Sequence, residues 1–328
     1  MKFDPKKTTA RMGLISLALA LAASTAAAQT QVTITHSSPE DSHFGEAAQA
    51  FKDVVESKMS GDFNVVIQRL DNEREAIESV QFGSQECSIT SAGPLGNFIP
   101  ETRVFDIPFL FDGYDHARGV LDSDIGQDML GTFNNYGLIG VAWMENGFRN
   151  LTTGTKTVNS PEDLKGMKIR TMENEIHMRA WNAAGVLPTP MAFSELPPAL
   201  QQGTVDGQEN PVSVILANNL DQMQNHLYMT RHVYSPGILL CSLAFWDGLS
   251  DDQKAIFLEA GNAAKEADRK RVSEDEKAGV DKLRERGIEV VEIEDREPYR
   301  EAMSGANASF DEEFGANLIK QIREWKPQ

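Results

Sequence analysis

The sequence predicts an α/β fold built in two units. Three observations carry that reading. Strand-like and helix-like segments alternate along the chain, the alternation restarts with fresh capping signals near residue 160, and 328 residues suit two domains better than one. Hydrophobic residues make up 41%, and 25 Gly and 14 Pro are spread along the chain, which excludes collagen-like and disordered classes.

The first element is not part of the fold. Lys2, Lys6, Lys7 and Arg11 form a basic start, residues 13–23 an apolar run, and Ala26-Ala27-Ala28 a small-residue cleavage pattern. Residues 1–28 are therefore expected to be an export signal, with Gln29 as the mature start. The run is too short to span a bilayer, and no later stretch approaches ~18 uninterrupted apolar residues. An uncleaved anchor is the other reading.

A strand is expected over 32–35, then an amphipathic helix over 44–59. Its apolar residues Phe44, Ala47, Ala48, Phe51, Val55 and Met59 recur at helical spacing. A β-branched strand over 63–70, a helix over 75–82 stopped by Gly83, and a strand over 87–90 complete a βαβαβ opening. Such an opening favours a parallel sheet with helices on its faces. Residues 138–143 read as another buried strand, followed by a turn through Glu145-Asn146-Gly147 to Arg149.

The second unit opens on Ser160 as N-cap, Pro161 at the first helical position and the acids Glu162 and Asp163. Gly166 ends that short helix, and 167–171 follows as a strand. A helix over 175–184 stops at Gly185, and Ser194 is expected to cap another that ends at Gly203. Residues 237–245 read as a strand. From Ser250 the pattern stays helical to about Gly287, longer than the usual 8–20 residues. Regular heptads cannot be laid on it, so a helix running across both domains is expected. A strand over 288–293 and a helical tail close the chain.

The charge bounds the partners. With 31 Lys+Arg against 49 Asp+Glu the net is −18, which argues against nucleic acid, and any anionic ligand must be captured by local cations. Cys87 and Cys241 both lie in apolar, strand-like text and read as buried free thiols or as a bridge. There is no Cys-x-x-Cys, no His-Glu-x-x-His, no Gly-x-Ser-x-Gly, no Gly-x-Gly-x-x-Gly and no phosphate loop. The six histidines are scattered. His36 and His43 are close enough in sequence to share a metal, yet two loop histidines are more often ordinary polar residues. No catalytic residue, metal or cofactor is expected.

Two arginines stand out. Arg170 ends a strand, where ligand crevices of open α/β sheets lie, and Arg149 follows the strand–turn. A guanidinium reads a carboxylate through two parallel donors at fixed geometry. The residues alone favour solvated surface arginines.

The text from Asn146-Gly147-Phe148-Arg149 through Ser160-Pro161-Glu162-Asp163-Leu164-Lys165-Gly166-Met167-Lys168-Ile169-Arg170 resembles the tripartite ATP-independent periplasmic (TRAP) transporter solute-binding proteins. Pro190-Met191-Ala192-Phe193-Ser194-Glu195-Leu196 and the run from Ala199 to Asn210-Pro211 continue the likeness over essentially the whole mature chain. Arg69-Leu70-Asp71-Asn72-Glu73-Arg74 resembles the family's second-strand motif but has Asp71 where Gly is usual, which bears on the local turn.

The resemblance implies a periplasmic protein of two lobes with a cleft between them and a long helix spanning both. Lobe I would comprise 29–146 plus about 236–275, and lobe II about 147–235 plus 276–328. By the same resemblance Arg170 clamps a ligand carboxylate, Arg149 is a second cation beside it and Asn210 bonds the same group. Phe193 packs on the ligand's carbon skeleton, and Glu73 and Ser91 meet its far end. His36 and Ser37 fall near another contact. Bland readings stand beside these: Arg149 as an inter-strand ion-pair partner, Glu73 as a cap of the helix that begins at Arg74, Phe193 as core. The implied partners are a small organic acid and the small and large TRAP permease subunits, for a monomeric binding protein. A carboxylate at Glu73 would repel a second ligand carboxylate, which favours a hydroxylated monocarboxylate such as a uronate. A C4-dicarboxylate, with His36 or His43 supplying charge, is the alternative. A periplasmic enzyme acting on such acids is the reading from a different class.

Overall fold

Residues 29–327 are described by a computed structural model, so the expected export signal at 1–28 lies outside the described residues. Nine strands form one sheet: β1 Thr30–His36, β2 Phe63–Arg69, β3 Cys87–Ser91, β4 Leu138–Thr153, β5 Lys168–Thr171, β6 Leu187–Pro190, β7 Gly207–Asn210, β8 His226–Ser242 and β9 Glu289–Val291. Their order is β2-β1-β3-β8-β4-β7-β5-β6, with β9 also on β8. The βαβαβ opening makes β2, β1 and β3 parallel, and β6, β5 and β7 are parallel in the second half. The two halves meet through antiparallel pairs of β3 with β8, β8 with β4, and β4 with β7. The sheet is therefore mixed, parallel within each half and antiparallel at the seam.

Two long strands make the seam, and both exceed their expected bounds. β4 does not turn at Glu145–Gly147 but runs on to Thr153. Gly147 takes φ 112° inside the strand, and the pairing shifts register there, between Glu145↔Pro236 and Gly147↔Ser235. A glycine that reads as a turn signal is here the irregularity that lets one strand continue from half to half. β8 begins at His226 rather than 237, and residues Leu243–Asp247 are helical. β6 was hidden by Pro188 and Pro190, which an edge strand tolerates because one side needs no ladder bonds. Ser194 caps nothing; a short turn, Phe193–Glu195, precedes the helix Leu196–Gln201, and Glu195 accepts from the Ala192 amide.

The long helix is Asp251–Glu285. Ser250 and Gln253 cap each other reciprocally, and Gly287 at φ 95° follows its end. Its first half sends Phe257, Ala260 and Ala264 into the core beneath β1–β3, where Phe51 and Phe63 meet Phe257 edge-on. Its last turns put Leu283 into the second half's core with Val212, Ile215 and Leu216. A Cβ on Gly279 would sit 2.5 Å from a Val212 methyl, so glycine permits that close approach. The opposite face of the sheet carries a continuous apolar core from Ile77 and Val80 to Tyr299 and Ile322. Among the described residues no helix is long and apolar enough to cross a membrane.

Cys87 and Cys241 face each other across β3 and β8 and form a disulfide, which decides between the two readings of these residues. The C-terminal tail folds back over the first half: Trp325 stacks on His116, whose ring nitrogen contacts the Ile322 carbonyl.

Candidate functional site

The carboxyl ends of β1 and β3 from one half, and of β5 and β7 from the other, converge on a narrow cavity of about 20 Å³. One wall is made of Ser37, Ser38, Glu73 and Ser91; the facing wall carries Arg170, Met172, Phe193 and Asn210. Phe44, Asn146 and Val214 close the floor. The lining has one cation, Arg170, and one carboxylate, Glu73.

Arg170 ends up there because β5 is short and buried, its residues reading exposed, then three buried, so the guanidinium leaves the sheet edge at the cavity. Its Nε and Nη2 donate to the Met191 carbonyl at 3.2 and 2.7 Å, and the Phe193 ring lies 5.8 Å from the guanidinium carbon. Nη1 is buried without a partner, and among the described residues no carboxylate stands within ion-pairing distance of Arg170. Burial, and after it the like charge of Arg149, pull its pKa down to about 10, which leaves it charged at neutral pH. A buried cation with an unused donor is costly unless something anionic meets it.

Arg149 lies behind this wall, wholly buried, and does not line the cavity. Its Nε and Nη2 grip Glu209 across the β4–β7 pair, Nη2 to Oε1 at 2.8 Å, and Nη1 points at the Met172 sulfur. His232 approaches the same carboxylate at 3.2 Å. Burial alone would raise the Glu209 carboxyl, but Arg149 and the His232 bond outweigh it and hold it below the usual range. Arg149 is thus held in an inter-strand ion pair with Glu209. It buttresses Met172 and adds positive potential behind Arg170.

Glu73 is the first residue of the helix Glu73–Gln81, but Asn72 is the cap, accepting from the Glu75 amide. Freed from capping, the Glu73 carboxylate turns inward. Its Oε1 accepts from Ser37 Oγ at 3.1 Å and from Ser91 N and Oγ at 2.7 and 2.9 Å. Its other oxygen has no protein donor among the described residues. Ser91 Oγ in turn accepts from Asn146 Nδ2, and Asn146 Oδ1 meets His43 Nε2 at 3.0 Å. Burial pushes the His43 imidazole down to about 4, so the ring is neutral and donates to Asn146. Asn210 donates to Gln208 with its amide nitrogen and lines the cavity.

His36 is set apart from this cavity. It lines a shallow groove with Glu40, Lys52 and Ile67, and burial lowers its pKa as well. Ser37 and Ser38, just past the end of β1, line the cavity instead. The sequence reading missed Ser38, Phe44, Asn146, Met172 and Val214. Asn146 lay inside a quoted motif, and Met172 two residues past Arg170, so strand-end position was the available signal for both. Phe193 is half-exposed, over Arg170, rather than core.

Comparison with known proteins gives a consistent family likeness. The profile of bacterial extracellular solute-binding protein family 7 (DctP) matches residues 34–313. A solute-binding protein of Verminephrobacter eiseniae is 44% identical over 299 residues, covering 90% of this chain and 89% of that one. A TRAP periplasmic solute-binding protein from Polaromonas sp. JS666, solved with D-erythronate, is 48% identical with TM-score 0.89, over 92% of this chain and all of that one. Another, from Bordetella, with density interpreted as pantoate, is 45% identical with TM-score 0.89, over 91% of this chain and all of that one.

Proposed function

The chain belongs to bacterial extracellular solute-binding protein family 7, the binding proteins of TRAP transporters, and we propose that it clamps a small hydroxylated monocarboxylate between two lobes. Members of this family bind solutes for transport and are not enzymes. The lobes are 29–146 with 236–275, and 147–235 with 276–328; the register break between Glu145 and Gly147, opposite Pro236 and Ser235, supports that division. Export by residues 1–28, action as a monomer in the periplasm and delivery to the TRAP permease complete the proposal.

One observation carries the ligand reading: Arg170 is a buried, unpaired cation with a spare donor on a cavity whose only other charge is Glu73. A ligand carboxylate would pair with Arg170, supported by Asn210, while Phe193 covers the carbon skeleton. At the far end Glu73 and the serines offer acceptors and hydroxyls, which suit ligand hydroxyl groups. A second ligand carboxylate would lack a cation there. His43 is held neutral and His36 lies outside, so neither supplies the charge that a C4-dicarboxylate requires. D-erythronate and pantoate, the ligands of the two solved relatives, are both hydroxylated monocarboxylates.

Titration calorimetry with D-erythronate, pantoate and succinate tests the clamp. Arg170→Ala should cost about 3–5 kcal/mol of binding, because one partner of a desolvated charge pair is removed. Arg170→Lys should recover only part, since a point charge lacks the bidentate fork. Binding of Arg170→Lys at wild-type strength would refute the fork.

A further inference from the structure

Beside the ligand cavity, but not lining it, several polar contacts join the two halves: Asn97 Nδ2 donates to the Glu173 carbonyl at 2.7 Å, Arg103 pairs with Glu175 at 3.2 Å, and of these the Asn174 amide is the one buried on both sides. Asn174 lies three residues past β5. Its Oδ1 caps the helix Glu175–Ala183, accepting from Ile176 N and His177 N at 2.9 and 3.0 Å. Its Nδ2 crosses to the other half and donates to Asp106 Oδ2 at 2.7 Å and to the Gly93 carbonyl at 3.2 Å. Gly93 lies two residues past Ser91, the end of β3, and has no side chain to obstruct Met172 opposite. Asn174 and Asp106 are both buried, so neither pairing competes with bulk water. A hydrogen bond to a buried carboxylate is of the stronger kind. The side chain thus ties the segment carrying Arg170 and Met172 to the segment carrying Ser91.

We infer that Asn174 and Asp106 form a closure latch: a cross-lobe bond that holds the cleft shut on its ligand without touching it. This inference rests on the two-lobed clamp proposed above. The latch adds to affinity by slowing release, because a lobe must break the Asn174–Asp106 bond before the ligand can leave. Capture, which starts from separated lobes, is little affected.

Asn174→Asp separates latch from cap. Aspartate caps a helix about as well as asparagine, so the fold keeps its helix start. It removes the donor and sets two carboxylates against each other at the Asp106 contact. The double variant Asp106→Asn/Asn174→Asp restores an amide–carboxylate pair with donor and acceptor exchanged. Stopped-flow capture and release are followed for whichever of D-erythronate, pantoate, succinate and malate bind the wild type. Release from Asn174→Asp should be about 10–100-fold faster with capture within a few-fold, and the double variant should regain most of the loss. Wild-type release from Asn174→Asp, or a double variant as leaky as the single one, would overturn the latch; a cap role alone gives the first of these results. A wild type that binds only succinate or malate would overturn the ligand class instead, and the latch would still be judged by its release rates.

Discussion

At the scale of single residues, the proposed clamp assigns the choice of ligand to Glu73. Three donors hold its Oε1, and only the second oxygen is left for a ligand. Glu73→Gln can keep all three bonds on the amide oxygen and turn only the free position from anionic acceptor to neutral donor. Affinity for D-erythronate should then fall by about 1–2 kcal/mol, a weakened charge-assisted bond, while succinate and malate bind more tightly as like-charge repulsion disappears. Calorimetry of both ligand classes on both proteins reads the ratio. An unchanged ratio means that the charge selects nothing. His43, two shells behind, makes a pH prediction. Its folded pKa of about 4 lies below its ordinary 6.5, so between these values the unfolded chain binds the extra proton and stability falls as pH falls. The loss should amount to about 3 kcal/mol by pH 4 and fade out about one pH unit above 6.5. His43→Gln keeps an amide donor for Asn146 and should flatten this part of a melting-temperature profile; a profile of unchanged steepness would assign the acid loss to other groups. Arg170 was legible because a strand end is a position that sequence periodicity exposes. Whether an arginine at such a position is paired is not legible: Arg149 and Arg170 look alike in the text, and only the β4–β7 pairing brings Glu209 onto one of them.

At the scale of elements, what the text made plain was whatever carries its own local signal. The long helix has a capping box and a terminal glycine, and its ends fall within a residue or two of the reading. β4 and β8 lack such signals, since their buried stretches pass through Gly147 and Pro236, residues that punctuate chains elsewhere. The disulfide belongs here because it joins two strands that are already hydrogen-bonded. Cys87 opens β3 whereas Ser91 ends it at the cavity, so the bridge sits at the strand end away from the cavity. Cys87→Ser/Cys241→Ser should lower unfolding free energy by about 2–4 kcal/mol in denaturant titration, chiefly by releasing the unfolded chain. Ligand affinity should stay within a few-fold. A large affinity loss would mean that the bridge sets the position of Ser91 and not only the stability of the half that contains it.

At the scale of the whole molecule, the proposed clamp requires a motion. The cavity walls belong to different halves of the sheet, so under the proposed clamp the halves part for ligand to come and go. The connections that survive such parting are few: β4, β8 and the long helix run through both halves, and the tail carrying Trp325 reaches back to His116. Bending should concentrate where these elements are least regular, at the register shift by Gly147 and where Arg231 adopts φ 42° in β8. The strand order could not be read from the sequence, because it depends on two strands returning antiparallel between halves that are each parallel. The parallel pairing within each half could, because each half repeats its own strand–helix alternation. Small-angle scattering at saturating D-erythronate should give a smaller radius of gyration than ligand-free protein. Arg170→Ala should abolish that contraction at the same ligand concentration. The contraction should also weaken in Gly147→Val, since a β-branched residue is strained at φ 112° and stiffens the crossing. A radius indifferent to ligand, in a protein that calorimetry shows to be saturated, would mean that the acid is bound without lobe movement and that the hinge assignment is wrong.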